Sequence, residues 1–102
     1  MYRASDEVEN EEWLATLEGG ADRLNLPSET RTRAADLFLS TVPEADRSKQ
    51  PALAAAVYVA SLATGEARSQ QDVADAFDVS RLSVQGRWKA LMREAGLEPP
   101  SW

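Results

Sequence analysis

Residues 51–64, PALAAAVYVASLAT, put no charged side chain on any face of the helix they would form. A helix that is apolar all round is stable only in the middle of a bundle, so this stretch dictates that other helices surround it. Pro51 opens it at a first-turn position, where a missing N–H does no harm. Leu53, Ala56, Val57 and Ala60 give one face, and the alanines let neighbours approach closely. Tyr58 is read as core rather than as a ligand-lining residue, and Gly65 closes the helix in the left-handed conformation that glycine tolerates.

No stretch alternates apolar and polar residues as a half-buried strand would, and turn signals fall where helix ends are needed. The first helix is predicted from about Glu9 to Leu24, with Trp13, Leu14 and Leu17 inward and a kink or break at Gly19–Gly20. The second is capped by Ser28, buries Ala34, Ala35, Phe38 and Val42, and stops at Pro43. The fold class is all-α. At 102 residues and 43% hydrophobic, the chain holds one core. We expect an acidic N-terminus over 1–8, one helical domain over 9–97 and a tail over 98–102.

The chain has no cysteine and no histidine, which removes disulfides, thiolate metal sites, thiol nucleophiles and the commonest general base. We expect no metal, no cofactor and no enzymatic activity; Glu9, Glu11 and Glu12 read as a solvated helix start rather than a cation site. No apolar run is long enough to span a bilayer, and the expected setting is soluble and cytoplasmic, with no membrane partner. The net charge of −6 is unevenly placed: residues 1–30 carry eight acids against two arginines, and the remainder is balanced. That acidic arm reads either as solubility or as a segment that occupies a basic surface until a partner displaces it.

Such a basic surface is predicted in residues 69–95, which read as helix, tight turn and helix. Ser69 and Asp72 fit a reciprocal capping pair, so a short helix starts at Gln70 and buries Val73, Ala74 and Phe77. The chain turns through Asp78–Val79, and Ser80 caps a last helix that ends at Gly96, with Leu97 making an apolar contact and Pro99–Pro100 preventing continuation. On a helical wheel Val84, Trp88, Leu91, Met92 and Ala95 face the core. The opposite side carries Leu82, Gly86, Lys89 and Arg93, flanked by Ser83 and Gln85. Between Val79 and Arg93 there are four cations, Arg81, Arg87, Lys89 and Arg93, and no acid. An exposed leucine can touch a thymine methyl, a glutamine can pair with adenine, a glycine lets the helix sit deep in a groove, and Lys89 and Arg93 can hold phosphates. Arg87 lies at the edge of the buried face and can instead pair with Asp72 or Asp75. The competing reading is that two amphipathic helices merely pack and Leu82 is one of many harmless exposed apolar residues.

Four stretches resemble a known family: Ala54-Ala55-Ala56-Val57-Tyr58-Val59-Ala60; Thr64-Gly65; Ser69-Gln70-Gln71-Asp72-Val73-Ala74; and Val79-Ser80-Arg81-Leu82-Ser83-Val84-Gln85-Gly86-Arg87-Trp88-Lys89-Ala90-Leu91. They are similar to a cyclin-like repeat of archaeal transcription factor B, the counterpart of eukaryotic transcription factor IIB, over most of residues 21–97. Such repeats commonly read AAA-x-Y-x-A, T-G, T-Q-x-E-[IV]-A and V-[ST]-E-V-T-[IV]-R-N-R-Y-K-E-L at these places. The resemblance implies a five-helix cyclin-like bundle with a C-terminal helix-turn-helix. It also implies a transcription regulator that binds double-stranded promoter DNA with the last helix, through an apolar residue and an arginine three positions later. Those positions are Leu82 and Gln85 here, so the arginine is replaced, and the family asparagine is Gly86. The DNA-facing set is then Gln70, Gln71, Arg81, Leu82, Ser83, Gln85, Gly86, Arg87, Lys89 and Arg93. One repeat without zinc ligands is not expected to load RNA polymerase by itself. A homodimer would restore two repeats; alternatively the bundle docks on TATA-binding protein or another initiation factor without touching DNA. Scarce lysine, abundant alanine and an acidic surface resemble proteins of salt-accumulating archaea, and the expected location is the nucleoid.

Overall fold

The computed structural model describes residues 10–97. The predicted start of the first helix at Glu9, the acidic arm 1–8 and the tail 98–102 lie outside the described residues. Six helical segments follow one another: α1 Glu11–Arg23, α2 Ser28–Ser40, α3 Asp46–Ala63, α4 Gln70–Ala76, α5 Arg81–Gln85 and α6 Trp88–Glu94. Among the described residues there is no strand. This is the all-helical bundle expected, with the last helix delivered in two pieces.

Helix α3 sits at the centre and touches all five others. Every residue from Leu53 to Ser61 is buried, as an all-round apolar helix requires. Around it pack Leu17, Phe38, Val73 and Val84, each less than 2% exposed. The buried polar groups find partners. Thr64 donates to the Ala60 carbonyl at 2.8 Å, which leaves Thr30 to donate to the Thr64 hydroxyl at 2.7 Å; Ser61 donates to the Tyr58 carbonyl at 2.7 Å.

The start of α3 differs from expectation. The helix begins at Asp46, so Pro51 lies inside it rather than at its start. Proline there forgoes the bond its N–H would make to the Arg47 carbonyl. The leading turn is held by other contacts: Lys49 pairs with Asp46 at 3.0 Å, and the Gln50 amide donates to the Phe77 carbonyl at 2.6 Å.

Helix α1 also departs from the sequence reading, because it runs unbroken through Gly19–Gly20. Gly20 is buried, and a Cβ added there would run into Cζ and Cε1 of Phe77 and lie 2.7 Å from Cε2. The glycine is therefore a close-approach position, and burial of Leu17 and Ala21 beside it outweighs the roughly 1 kcal/mol of lost helix propensity per glycine. In α2, Ser28 is not the cap: Pro27 holds that position, no side chain caps the helix, and it ends at Ser40 rather than at Pro43. Arg31 joins α1 to α2 through Glu18 at 2.9 Å, Asp22 at 2.7 Å and the Leu26 carbonyl at 2.9 Å. The hydrogen bonds to Glu18 and Asp22 push its pKa up. At a solvated surface such a clamp orients more than it stabilises.

Four helices end in the same way. A residue with positive φ follows the last turn, and the next N–H reaches back five residues: Leu26 to Ala21 at 3.0 Å, Glu66 to Ser61 at 2.9 Å, Val79 to Ala74 at 3.0 Å and Leu97 to Met92 at 2.9 Å. The left-handed residues are Asn25, Gly65, Asp78 and Gly96. Gly65 and Gly96 were legible as terminators; Asn25 and Asp78 use side chains that tolerate the conformation less well than glycine.

Candidate nucleic-acid interface

Helices α4 and α5 with their connecting turn form the helix-turn-helix. The Ser69 hydroxyl accepts from the Asp72 N–H at 3.0 Å, which is half of the predicted capping pair; the carboxylate of Asp72 does not return a bond to Ser69. Asp78 then reverses the chain, and Ser80 caps α5 by accepting from the Ser83 N–H at 3.1 Å, with the two hydroxyls 2.9 Å apart. The turn is fixed from two sides. From α3, Gln50 holds the Phe77 carbonyl; from α1, Arg23 donates to the Ala76 carbonyl at 2.9 Å. Neither Gln50 nor Arg23 was found by sequence reasoning, and no motif could have found them, since the contacts span 27 and 53 residues.

The last helix is broken. Gly86 still bonds α-helically to the Leu82 carbonyl at 2.8 Å, but the next N–H, Arg87, reaches only to Val84 at 3.2 Å, a tighter 3₁₀ turn. Glycine's low helix propensity locates the break. Val84, Trp88, Leu91 and Met92 are buried as the wheel predicts, and Trp88 meets Tyr58 edge-on at 5.4 Å. Ala95 is a correction: it lies past the end of α6 and is exposed.

Outward, Leu82 is 67% exposed, and no other large apolar side chain among the described residues is exposed. Arg81 and Gln85 stand beside it, and the Arg81 guanidinium donates to the Gln85 side-chain oxygen at 2.7 Å. Arg93 is exposed, while the Lys89 ammonium lies 5.5 Å from the Trp88 ring. Ser83 is half-buried and engaged with Ser80. Gly86 and Arg87 line a groove of about 220 Å³ against Thr41, Pro43 and Ala52, so Arg87 opens on a different side from Leu82. It forms no ion pair with Asp72 or Asp75; Asp75 accepts instead from the Gln71 amide at 2.8 Å. Gln70 is half-buried. The expected set thus divides into a cluster of Arg81, Leu82 and Gln85, cations farther along α6, a groove pair of Gly86 and Arg87, and a glutamine pair on an α4 that exposes Asp72 and Asp75.

Among the described residues no group of acids could hold a metal ion, and no helix is long and apolar enough to cross a membrane.

Comparison with known proteins gives a family model described as the transcription factor TFIIB repeat, which matches residues 15–94. The chain is similar to the transcription initiation factor IIB of Pyrococcus abyssi, 37% identical over 83 residues, covering 78% of this chain and 28% of that protein. The counterpart in Pyrococcus horikoshii gives the same figures. That of Caldivirga maquilingensis is 44% identical over 54 residues, covering 51% of this chain and 16% of the relative.

Proposed function

The chain belongs to the TFIIB-repeat family, and on that premise we propose that it regulates transcription by binding double-stranded promoter DNA through α5 and α6. It spans only about a quarter of the relatives' length, 28% of the Pyrococcus abyssi protein, so their role as initiation factors is carried to it as part of this proposal. The domain is taken as 9–97, flanked by the acidic arm 1–8 and the tail 98–102.

One observation carries the reading: in a chain of net charge −6, Leu82, which among the described residues is the one exposed large apolar side chain, stands on the second helix of a helix-turn-helix beside Arg81, with Arg93 exposed on the following helix α6. An apolar side chain left in water with cations along the same stretch of chain suits a groove of DNA, where it meets a base while the cations meet phosphates. The remaining members of the contact set are Ser83 and Gln85 from α5, Gly86 and Arg87 from the break, Lys89 from α6, and Gln70 and Gln71 from α4. The acidic surface and scarcity of lysine support a salt-rich archaeal cytoplasm, with the protein at the nucleoid.

Fluorescence anisotropy with promoter duplexes tests this. Wild type should bind, and both Leu82→Ala and Arg93→Ala should bind several-fold more weakly while melting at the wild-type temperature. Duplex titration that leaves the NMR signals of residues 81–93 unmoved would overturn the reading. A second reading is favoured by the exposed acids of α4, Asp72 and Asp75, which repel DNA: the bundle docks on TATA-binding protein or another initiation factor. Capture of such a factor that survives nuclease treatment supports docking, and loss on nuclease treatment supports a DNA bridge. Light scattering after size exclusion tests whether two chains pair to restore two repeats.

A further inference from the structure

We propose that Arg81 and Gln85 act as one unit that reads guanine in the major groove, with Leu82 set against a neighbouring thymine methyl. The inference rests on the DNA-binding reading above and goes beyond it by naming the base.

The observation is the 2.7 Å bond from Arg81 Nη1 to Gln85 Oε1, between two exposed side chains one helical turn apart. A free glutamine recognises adenine by a pair of bonds, its oxygen accepting from the adenine amino group while its nitrogen donates to N7. Here that oxygen is turned back along the helix toward the guanidinium. Gln85 keeps its NH₂ as a donor, while its oxygen, with one lone pair taken, is drawn toward the guanidinium; Arg81 keeps four more N–H groups and no acceptor. The pair is therefore rich in donors.

Base edges in the major groove respond to that differently. Guanine shows two adjacent acceptors, N7 and O6, while adenine adds an amino donor beside N7, and cytosine shows an amino donor alone. Against adenine or cytosine, a donor-rich pair sets N–H against N–H. Guanine is the purine edge that satisfies it twice. Gln85 also serves as a positioning residue, because holding one guanidinium nitrogen fixes the plane of the other donors before DNA arrives and lowers the entropy lost on binding. On a helical projection Gln85 lies between Arg81 and Leu82, so the apolar contact falls to one side of the guanine. Thymine, with its C5 methyl, is the base whose major-groove edge matches Leu82.

Selection of wild type, Arg81→Ala and Gln85→Leu against a randomised duplex pool at one salt concentration tests the proposal. Both substitutions are on exposed side chains and should leave the melting temperature unchanged. The expected result is a guanine enriched by wild type at one position and lost by both variants, while each still retains duplex. At that position 7-deazaguanine, which lacks the N7 acceptor, should weaken wild type about tenfold and Arg81→Ala hardly at all. Enrichment of adenine, or a guanine preference that survives both substitutions, overturns the guanine assignment and leaves DNA binding standing. Failure of wild type to retain any duplex overturns the underlying reading as well.

Discussion

Two adjacent glycines should respond to alanine with opposite signs. At Gly19 nothing lies within 4 Å of an added Cβ, so Gly19→Ala gains the full helix-propensity difference, about 1 kcal/mol. At Gly20 the same gain is opposed by the Phe77 ring. The added carbon would stand 2.7 Å from Cε2 and closer still to Cζ and Cε1, whereas carbon atoms rest comfortably at about 3.5–4.0 Å, so the ring or α1 must retreat by about 1 Å. Phe77 is 2% exposed and closed in by core, so it has no open side to move toward. Overpacking of this kind costs about 1–3 kcal/mol, and the severity of the contact puts it at the upper end, leaving Gly20→Ala destabilised by about 1–2 kcal/mol. For a domain of this size that lowers the melting temperature by about 5–15 °C, while Gly19→Ala raises it by about 4–8 °C. Urea and thermal unfolding followed by circular dichroism measure both. Phe77→Leu should remove most of the Gly20→Ala penalty in a double-mutant cycle. Equal stabilisation by the two alanines would refute the packing argument.

The turn of the helix-turn-helix should be sensitive to its distant supports. Gln50→Ala removes the bond to the Phe77 carbonyl and should cost about 0.5–1.5 kcal/mol, with amide exchange accelerated at residues 77–79 ahead of the rest of α4. The left-handed positions predict a second pair of opposite signs: Gly65→Ala, at φ 75°, should destabilise by about 1–2 kcal/mol, and Asp78→Gly, at φ 54°, should stabilise by up to about 1 kcal/mol, both read from urea midpoints.

What the sequence disclosed about the fold follows from how local each signal is. The central helix was legible because an all-apolar surface has one destination, and Ser69, Ser80, Gly65 and Gly96 were legible because caps and left-handed stops are made within one turn. The expectations that failed depended on contacts distant in sequence. Gly20 reads as a helix breaker until Phe77, 57 positions on, is placed against it. Pro51 reads as a helix start until Gln50 is seen holding the α4 terminus across 27 residues. At the interface, burial of Val84 and Trp88 and exposure of Leu82 obey periodicity, so the wheel predicted them. The state of Gln85 was not legible, because a composition of donors and acceptors does not say which of them a neighbour one turn away has taken.

The charge pattern of the interface sets how it must behave with salt. If, as the DNA-binding proposal has it, Lys89 and Arg93 each meet a phosphate, binding falls with a logarithmic slope of about −1.8, so a tenfold rise in salt weakens it about 60-fold. The apolar contact of Leu82 releases no counterions, and salts that are excluded from protein surfaces strengthen apolar burial. On that proposal, raising salt transfers the energetic weight from the cations of α6 to Leu82 and to the Arg81–Gln85 pair, whose proposed partners are base edges rather than phosphates. The consequence is measurable by anisotropy at 0.15 and 1.5 M KCl, a range of about one decade chosen to expose the slope. Arg93→Ala should weaken binding about eightfold less relative to wild type at the higher salt than at the lower, since one phosphate contact carries about −0.9 of the slope. Leu82→Ala should show a loss at the higher salt at least as large as at the lower. A penalty for Arg93→Ala that persists undiminished in molar salt would mean that its guanidinium meets no phosphate, and that the stripe engages something other than a polyanion.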